Sequence, residues 1–156
     1  MTPSKDYSAT ILVDTTPQAA FDAINNVRGW WSGEIEGATD KLGAEFTYRV
    51  LDVHYSRQRI VEFIPGRKVV WEVVDSDLSH AQDRTEWTGT SISFEIVPKD
   101  GKTEVRFTHF GLVEAFECYS ACSNAWGSLI HGNLRQLIAT GQDQPNLFAP
   151  KEAGTP

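Results

Sequence analysis

The chain reads as an α+β domain in which a curved antiparallel sheet is covered by one long C-terminal helix. Two observations predict this. Strand-like segments are bunched between helical patterns, and after Gly111 the apolar period changes from two to a mixture of three and four. At 156 residues the chain is long enough for one core and too short for two ordinary domains. The expectation is a single domain over residues 7–141, followed by a Pro-rich, aperiodic and flexible tail over 142–156.

Tyr7–Val13 forms the first strand pattern. A short helix follows, capped by Thr15 or Thr16, with Pro17 at its first position and Phe21 and Ile24 on its inner face. "VRGWWSGEIEGATDKLG" holds no lasting period and reads as a helical turn plus loop carrying Trp30 and Trp31. From Ala44 the period is two: Phe46, Tyr48 and Val50 alternate with Glu45, Thr47 and Arg49. "RQRIVEFI" ends at the turn "PGR" and "KVVWEVVDS" follows it, while "GTSISFEIVP" joins "KTEVRFTHF" through the hairpin turn "KDG". In that last pair Ile92, Phe94 and Ile96 share a face, as do Val105, Phe107 and His109, so His109 lies on the apolar side of its strand.

The connection "DSDLSHAQDRTEWTGT" is longer than a tight hairpin needs, and reads either as a lid or binding loop or as a solvated excursion. In the last helix Tyr119, Cys122, Trp126, Leu129 or Ile130, Leu134 and Leu137 form the apolar stripe, and Gly141 supplies the stop. Gly127 and Gly132 inside it each cost about 1 kcal/mol relative to Ala. They imply close approach to a strand or space left for something bound.

Composition removes several classes of function. A formal charge of -7 and a pI near 5.0 argue against phosphate-backbone binding, so no nucleic-acid partner is expected. No segment has signal-peptide character or approaches the roughly 18 apolar residues of a membrane span, and a cytoplasmic location is expected. The two cysteines are too few for a disulfide framework and should be thiols.

The order of elements, with "TTPQAAFDAI", "IVEFIPGRKVVWEV" and "AWGSLIHGNLRQLIATG" in place, resembles the helix-grip proteins of the START-like (SRPBCC) superfamily. Within it, "TEWTGTSISFEI" and "HFGL...ECYSACSNAW" look like a bacterial single-domain subgroup of the branch named after the activator of the heat-shock protein 90 ATPase. The resemblance implies a START/Bet v 1-like sheet wrapped around the C-terminal helix, enclosing a hydrophobic cavity. It does not choose among carriers, cyclases and aromatases, or co-chaperones. One departure lies in the final helix: where relatives often carry leucines four and seven residues after the tryptophan, Trp126 is followed by Ile130, Asn133 and Leu134. If Asn133 faces the cavity it requires a partner or a ligand.

"HFGLVEAFECYSACSNAW" concentrates the candidate chemistry. Cys118 and Cys122 are neighbours on a helix, but zinc wants four ligands and no second Cys or His pair exists, so no metal is expected. A nucleophilic cysteine needs an electropositive setting, whereas Glu114 and Glu117 stand nearby. His109 is the best single acid–base candidate, and the competing reading is a satisfied core histidine. No phosphate loop or nucleotide fingerprint calls for a cofactor.

The expected activity is binding of a small apolar or aromatic ligand rather than catalysis. The ligand site would draw on Trp31, Tyr48, Glu62, Trp71, Phe94, Phe107, His109, Tyr119, Trp126 and Ile130, with a mouth made by Trp30, Trp31 and the loop through Trp87. The alternatives are a cyclase-, aromatase- or hydrolase-like enzyme using His109 with Tyr119 or Glu62, and a co-chaperone-type regulator with a chaperone partner. Either a monomer or a homodimer is compatible with these readings.

Overall fold

The computed structural model describes residues 6–50, 54–79, 84–113 and 119–144. Strand β1 (Tyr7–Val13) leads into helix α1 (Pro17–Asn25) and a 3₁₀ turn (Val27–Gly29). Six strands follow: β2 (Glu34–Gly37), β3 (Glu45–Val50), β4 (His54–Ile64), β5 (Lys68–Leu78), β6 (Ser91–Lys99) and β7 (Lys102–Phe110). The chain then closes on a 22-residue helix built from α2 (Tyr119–Ser128), a π-helical segment (Leu129–Leu134) and α3 (Arg135–Thr140). This is the expected α+β helix-grip arrangement.

The strands form one antiparallel sheet in the order β1-β7-β6-β5-β4-β3-β2. From β2 onward each strand pairs with its successor, and the first strand returns to pair with the last, Tyr7 opposite His109 and Val13 opposite Thr103. Local chemistry explains the joints. Thr16 Oγ1 accepts from the Ala19 amide at 3.1 Å and Pro17 opens α1, which satisfies one of the free donors at the helix start. Asp100 (φ 51°) and Gly101 (φ 79°) are both left-handed between Lys99 and Lys102, the geometry of a two-residue turn that matches strand twist. Gly141 (φ 72°) ends α3 and its amide donates to the Leu137 carbonyl at 2.7 Å.

Three segments differ from expectation. Residues 34–37, expected as loop, form β2 against β3; "EIEG" offers only one apolar residue to a periodicity argument, and the pairing comes from the β3 backbone beside it. Over the part described, the connection after β5 folds back along that strand and brings Trp87 to the cavity. β5 runs through Leu78, the Leu78 amide donates to the Arg84 carbonyl, and Gly89 and Thr90 bond back to Val73, folding the segment against the strand. Residues 142–144, assigned to the tail, are docked: Gln144 N donates to the Gly29 carbonyl at 2.8 Å and Asn26 Nδ2 to Asp143 at 3.1 Å. The rest of the tail, 145–156, lies outside the described residues. A Cβ at Gly127 would meet Tyr7 Oη of β1 at 3.4 Å, an ordinary van der Waals contact, and Gly132 has no neighbour within 4 Å.

Candidate ligand-binding site

The space between sheet and helix is mostly filled. Trp30, Trp71, Phe46, Phe94, Phe107 and Ile130 are completely or almost completely buried. Trp30 stacks on Trp71 at 6.4 Å, and Phe94 packs on both Trp71 and Phe107. Trp30 is further fixed by its indole N–H donating to the Ile24 carbonyl at 3.0 Å. Such a cluster contributes through area removed from water and through edge and offset ring contacts, and leaves no room within itself.

A cavity of about 180 Å³ remains at one end. Five aromatic side chains line it and touch in a closed circuit: Trp31 on Tyr48 (3.8 Å between centroids), Tyr48 on His54 (5.2 Å), His54 on Trp87 (4.5 Å), Trp87 on Trp126 (6.0 Å) and Trp126 back on Trp31 (5.1 Å). The sheet supplies Tyr48 and Val50 from the inner face of β3 and His54 from β4. The helix supplies two rows four residues apart, Cys122 with Trp126 and Ala121 with Ala125 and then Leu129. The alanines are what leave the space, because residues spaced by four stack on one helix face and these have almost no side chain. Ala121 is exposed and marks the mouth.

The wall nearest the 3₁₀ turn is clamped by polar contacts. Tyr48 Oη donates to the Ser32 carbonyl at 2.5 Å, and buried Asn133 donates to the Trp30 carbonyl (3.1 Å) and to Ser32 Oγ (3.2 Å). Asn133 therefore faces inward and has protein partners. Gly33 (φ 141°) lies so close to Tyr48 that a Cβ would come within 2.5 Å of Cε1. Burial raises the Tyr48 phenol above its usual range.

His109 stands behind this wall, fully buried, and both ring nitrogens are engaged. The Trp126 indole N–H donates to Nδ1 at 3.1 Å, and Nε2 lies 2.9 Å from Thr90 Oγ1. An indole nitrogen can only donate, so Nδ1 is the acceptor and the proton sits on Nε2. The Thr90 hydroxyl passes the chain on to the Trp87 carbonyl at 2.6 Å. Trp87 meets the His109 ring edge-on at 4.7 Å. Burial, and then the neighbouring His54, push His109 down to about 3, so the imidazole is neutral at any physiological pH.

Of the residues expected at the ligand, Trp31, Tyr48 and Trp126 line the cavity, and Trp87 joins them as a wall rather than a mouth. Trp71, Phe94, Phe107, His109 and Ile130 do face inward, but they are consumed by core packing and do not line it. Trp30 is likewise core and not mouth. Tyr119 is half-buried at the start of α2 and is not part of the lining. Glu62 does not line the cavity: it is half-buried and pairs with Lys68 at 3.5 Å. Val50, His54, Ala121, Ala125 and Leu129 were not anticipated, and the one available signal was the pair of alanines four residues apart beside the Cys122–Trp126 stripe. Glu114, Glu117 and Cys118 lie outside the described residues. Among the described residues no three His, Cys, Asp or Glu side chains could share a metal ion, and no helix is long and apolar enough to cross a membrane.

The family model described as "Activator of Hsp90 ATPase homolog 1-like protein" matches residues 14–139. The chain belongs to this family. No curated protein matches it, but solved structures of the same fold do. The solution structure of the Aha1 dimer from Colwellia psychrerythraea is 22% identical over 88% of this chain and 98% of that one, with a TM-score of 0.70. Protein MLL2253 from Mesorhizobium loti is 14% identical over 86% of this chain and 97% of that one, with a TM-score of 0.69. DynU16, from the dynemicin biosynthetic locus, is 12% identical over 90% of this chain and 49% of that one, with a TM-score of 0.66. At these identities the Hsp90-activator-like family and its relatives share a fold with this chain, and the pocket must speak for its own chemistry.

Proposed function

We propose that this member of the Hsp90-activator-like family binds one small apolar molecule, about the size of a single aromatic ring, between its sheet and C-terminal helix. The observation that carries the reading is the closed circuit of five rings around a cavity of about 180 Å³. An apolar cavity of ~150 Å³ is enough to take benzene, whereas drug-sized ligands occupy ~300–1,000 Å³. Sterols, long-chain fatty acids and polycyclic ligands are thereby disfavoured. Rings already packed against one another need little ordering when a ligand arrives, which limits the entropic cost of binding.

Catalysis by His109 finds no support in the geometry, since both nitrogens are occupied, the ring is neutral and it does not line the cavity. A chaperone-docking face finds none either among the described residues. The exposed large apolar side chains Leu12, Leu42, Val61, Ile64 and Phe110 are spread over β1, the turn before β3, β4 and β7.

The test is Ala125→Phe, which fills the cavity from the helix side without removing a core contact. Calorimetric titration with indole and toluene should give binding to the natural protein and at least a tenfold loss in the variant, with the melting temperature little changed. Unaltered affinity in Ala125→Phe, or no binding of either compound to the natural protein, would refute the reading.

A further inference from the structure

The inward face of β4 carries an unexpected polar stripe. His54, Ser56 and Gln58 alternate onto the same side of the strand, opposite Val50, Tyr48 and Phe46 of β3. His54 lines the cavity and its Nε2 lies 3.3 Å from Ser56 Oγ. Gln58, one step deeper, has no exposed surface, and neither its amide nitrogen nor its amide oxygen has a hydrogen-bond partner. The indole N–H of Trp71 is also buried and unpartnered; Trp71 lies two residues along β5 from Val73, the residue paired with Gln58.

Three buried polar atoms, two donating and one accepting, are thus left unsatisfied in one neighbourhood of the sheet. Buried polar groups are otherwise almost always paired, because an unmade hydrogen bond forfeits the hydration that was given up. An apolar residue at position 58 would fill the same space without that cost.

Trp31 links the cavity to this stretch of the sheet. Its ring stacks on Tyr48 at 3.8 Å and on Trp71 at 5.7 Å and meets Phe46, the residue paired with Gln58, edge-on at 6.5 Å. Trp31 also lines the cavity. The indole therefore touches both the apolar chamber and side chains beside the unsatisfied polar atoms.

We infer that Gln58 and the Trp71 indole N–H form the polar subsite of the ligand pocket, reached when Trp31 shifts, and that they select an aromatic molecule with a neutral head group offering both an acceptor and a donor, such as a carboxamide. This rests on the binding reading proposed above and adds the ligand's polar chemistry. A carbonyl oxygen can accept from Trp71 Nε1 and Gln58 Nε2 while the head group's N–H donates to Gln58 Oε1. A carboxylate would leave Gln58 Oε1 facing another acceptor and would bring a charge into a site with no cation beside it, so the subsite discriminates against it.

The experiment compares benzamide with its apolar isostere α-methylstyrene by calorimetric titration against the natural protein, Gln58→Met and Ala125→Phe. The natural protein should prefer benzamide by at least tenfold. Gln58→Met should remove that preference while keeping α-methylstyrene affinity, and it should melt no lower than the natural protein because an unpaired amide has been replaced by an apolar chain of similar length. Ala125→Phe should lose both ligands. Equal binding of the two compounds to the natural protein, or a preference that survives Gln58→Met, overturns the subsite and leaves the apolar pocket standing. Failure of both compounds to bind the natural protein overturns the pocket reading and the subsite with it.

Discussion

Replacing His109 by Phe should flatten the acid dependence of stability. In the folded protein His109 titrates only near 3, while in the unfolded chain an ordinary histidine titrates near ~6.5. The sign follows from proton counting. Between those values the unfolded chain holds a proton that the folded protein cannot accept, so stability falls as the pH drops below the unfolded value. The loss stops only when the folded form begins to protonate. Going from pH 7 to pH 5, this one residue withdraws about 2 kcal/mol. With an m-value of ~1–3 kcal/mol/M, that corresponds to a fall of about 1 M in the urea midpoint. In His109→Phe this component is absent, and the other titrating groups, common to both proteins, largely cancel in the comparison. The variant should start lower at pH 7 by ~1–3 kcal/mol, because the buried Trp126 N–H loses its acceptor. By pH 5 the two proteins should converge. Urea unfolding followed by tryptophan emission at pH 7, 6 and 5 measures both curves. Parallel curves would mean that His109 protonates in the folded state, and the hydrogen-bond chain from Trp126 to the Trp87 carbonyl would be wrongly assigned.

Other perturbations probe the clamp around the cavity. Gly33→Ala should destabilise by ~1–3 kcal/mol from backbone conformation alone, since φ 141° is nearly restricted to glycine. The new Cβ must also push Tyr48, so near-UV circular dichroism of the Trp31–Tyr48 stack should change together with the melting temperature. Asn133→Leu brings an apolar residue to that position but releases the Trp30 carbonyl and Ser32 Oγ. It should cost ~1–3 kcal/mol and raise amide exchange through Trp30–Ser32, and unchanged exchange there would show that Asn133 does not hold the turn.

The fold was legible because its signals are local. The alternation from Phe46 to Val50, the left-handed pair at Asp100 and Gly101, and the Thr16–Pro17 start of α1 each act within a few residues. The inward face of His109 was legible for the same reason. Its partners were not: Thr90 and Trp126 are 19 and 17 residues away and arrive through strand register and helix docking. The pocket followed the same division. Alternation places Trp71, Phe94 and Phe107 on the inner side of the sheet, but whether inner volume is filled or empty depends on how several elements meet. Here the cavity is left by two alanines on the helix and bounded by a tryptophan from a polar connection, and neither has a periodic signature. The short strand β2 escaped notice because its pairing is templated by β3 rather than encoded in its own pattern.

All five tryptophans of the chain belong to one cluster, each within 6.5 Å, centroid to centroid, of another. Optically they are coupled chromophores rather than separate ones. Their transitions should mix into an exciton couplet, and excitation absorbed anywhere in the cluster can migrate to whichever indole has the lowest-energy state. Three of the five, Trp31, Trp87 and Trp126, line the cavity, so a molecule that enters it should alter the emission of the whole set. The protein thus carries its own label for occupancy, readable at micromolar concentration with no added dye.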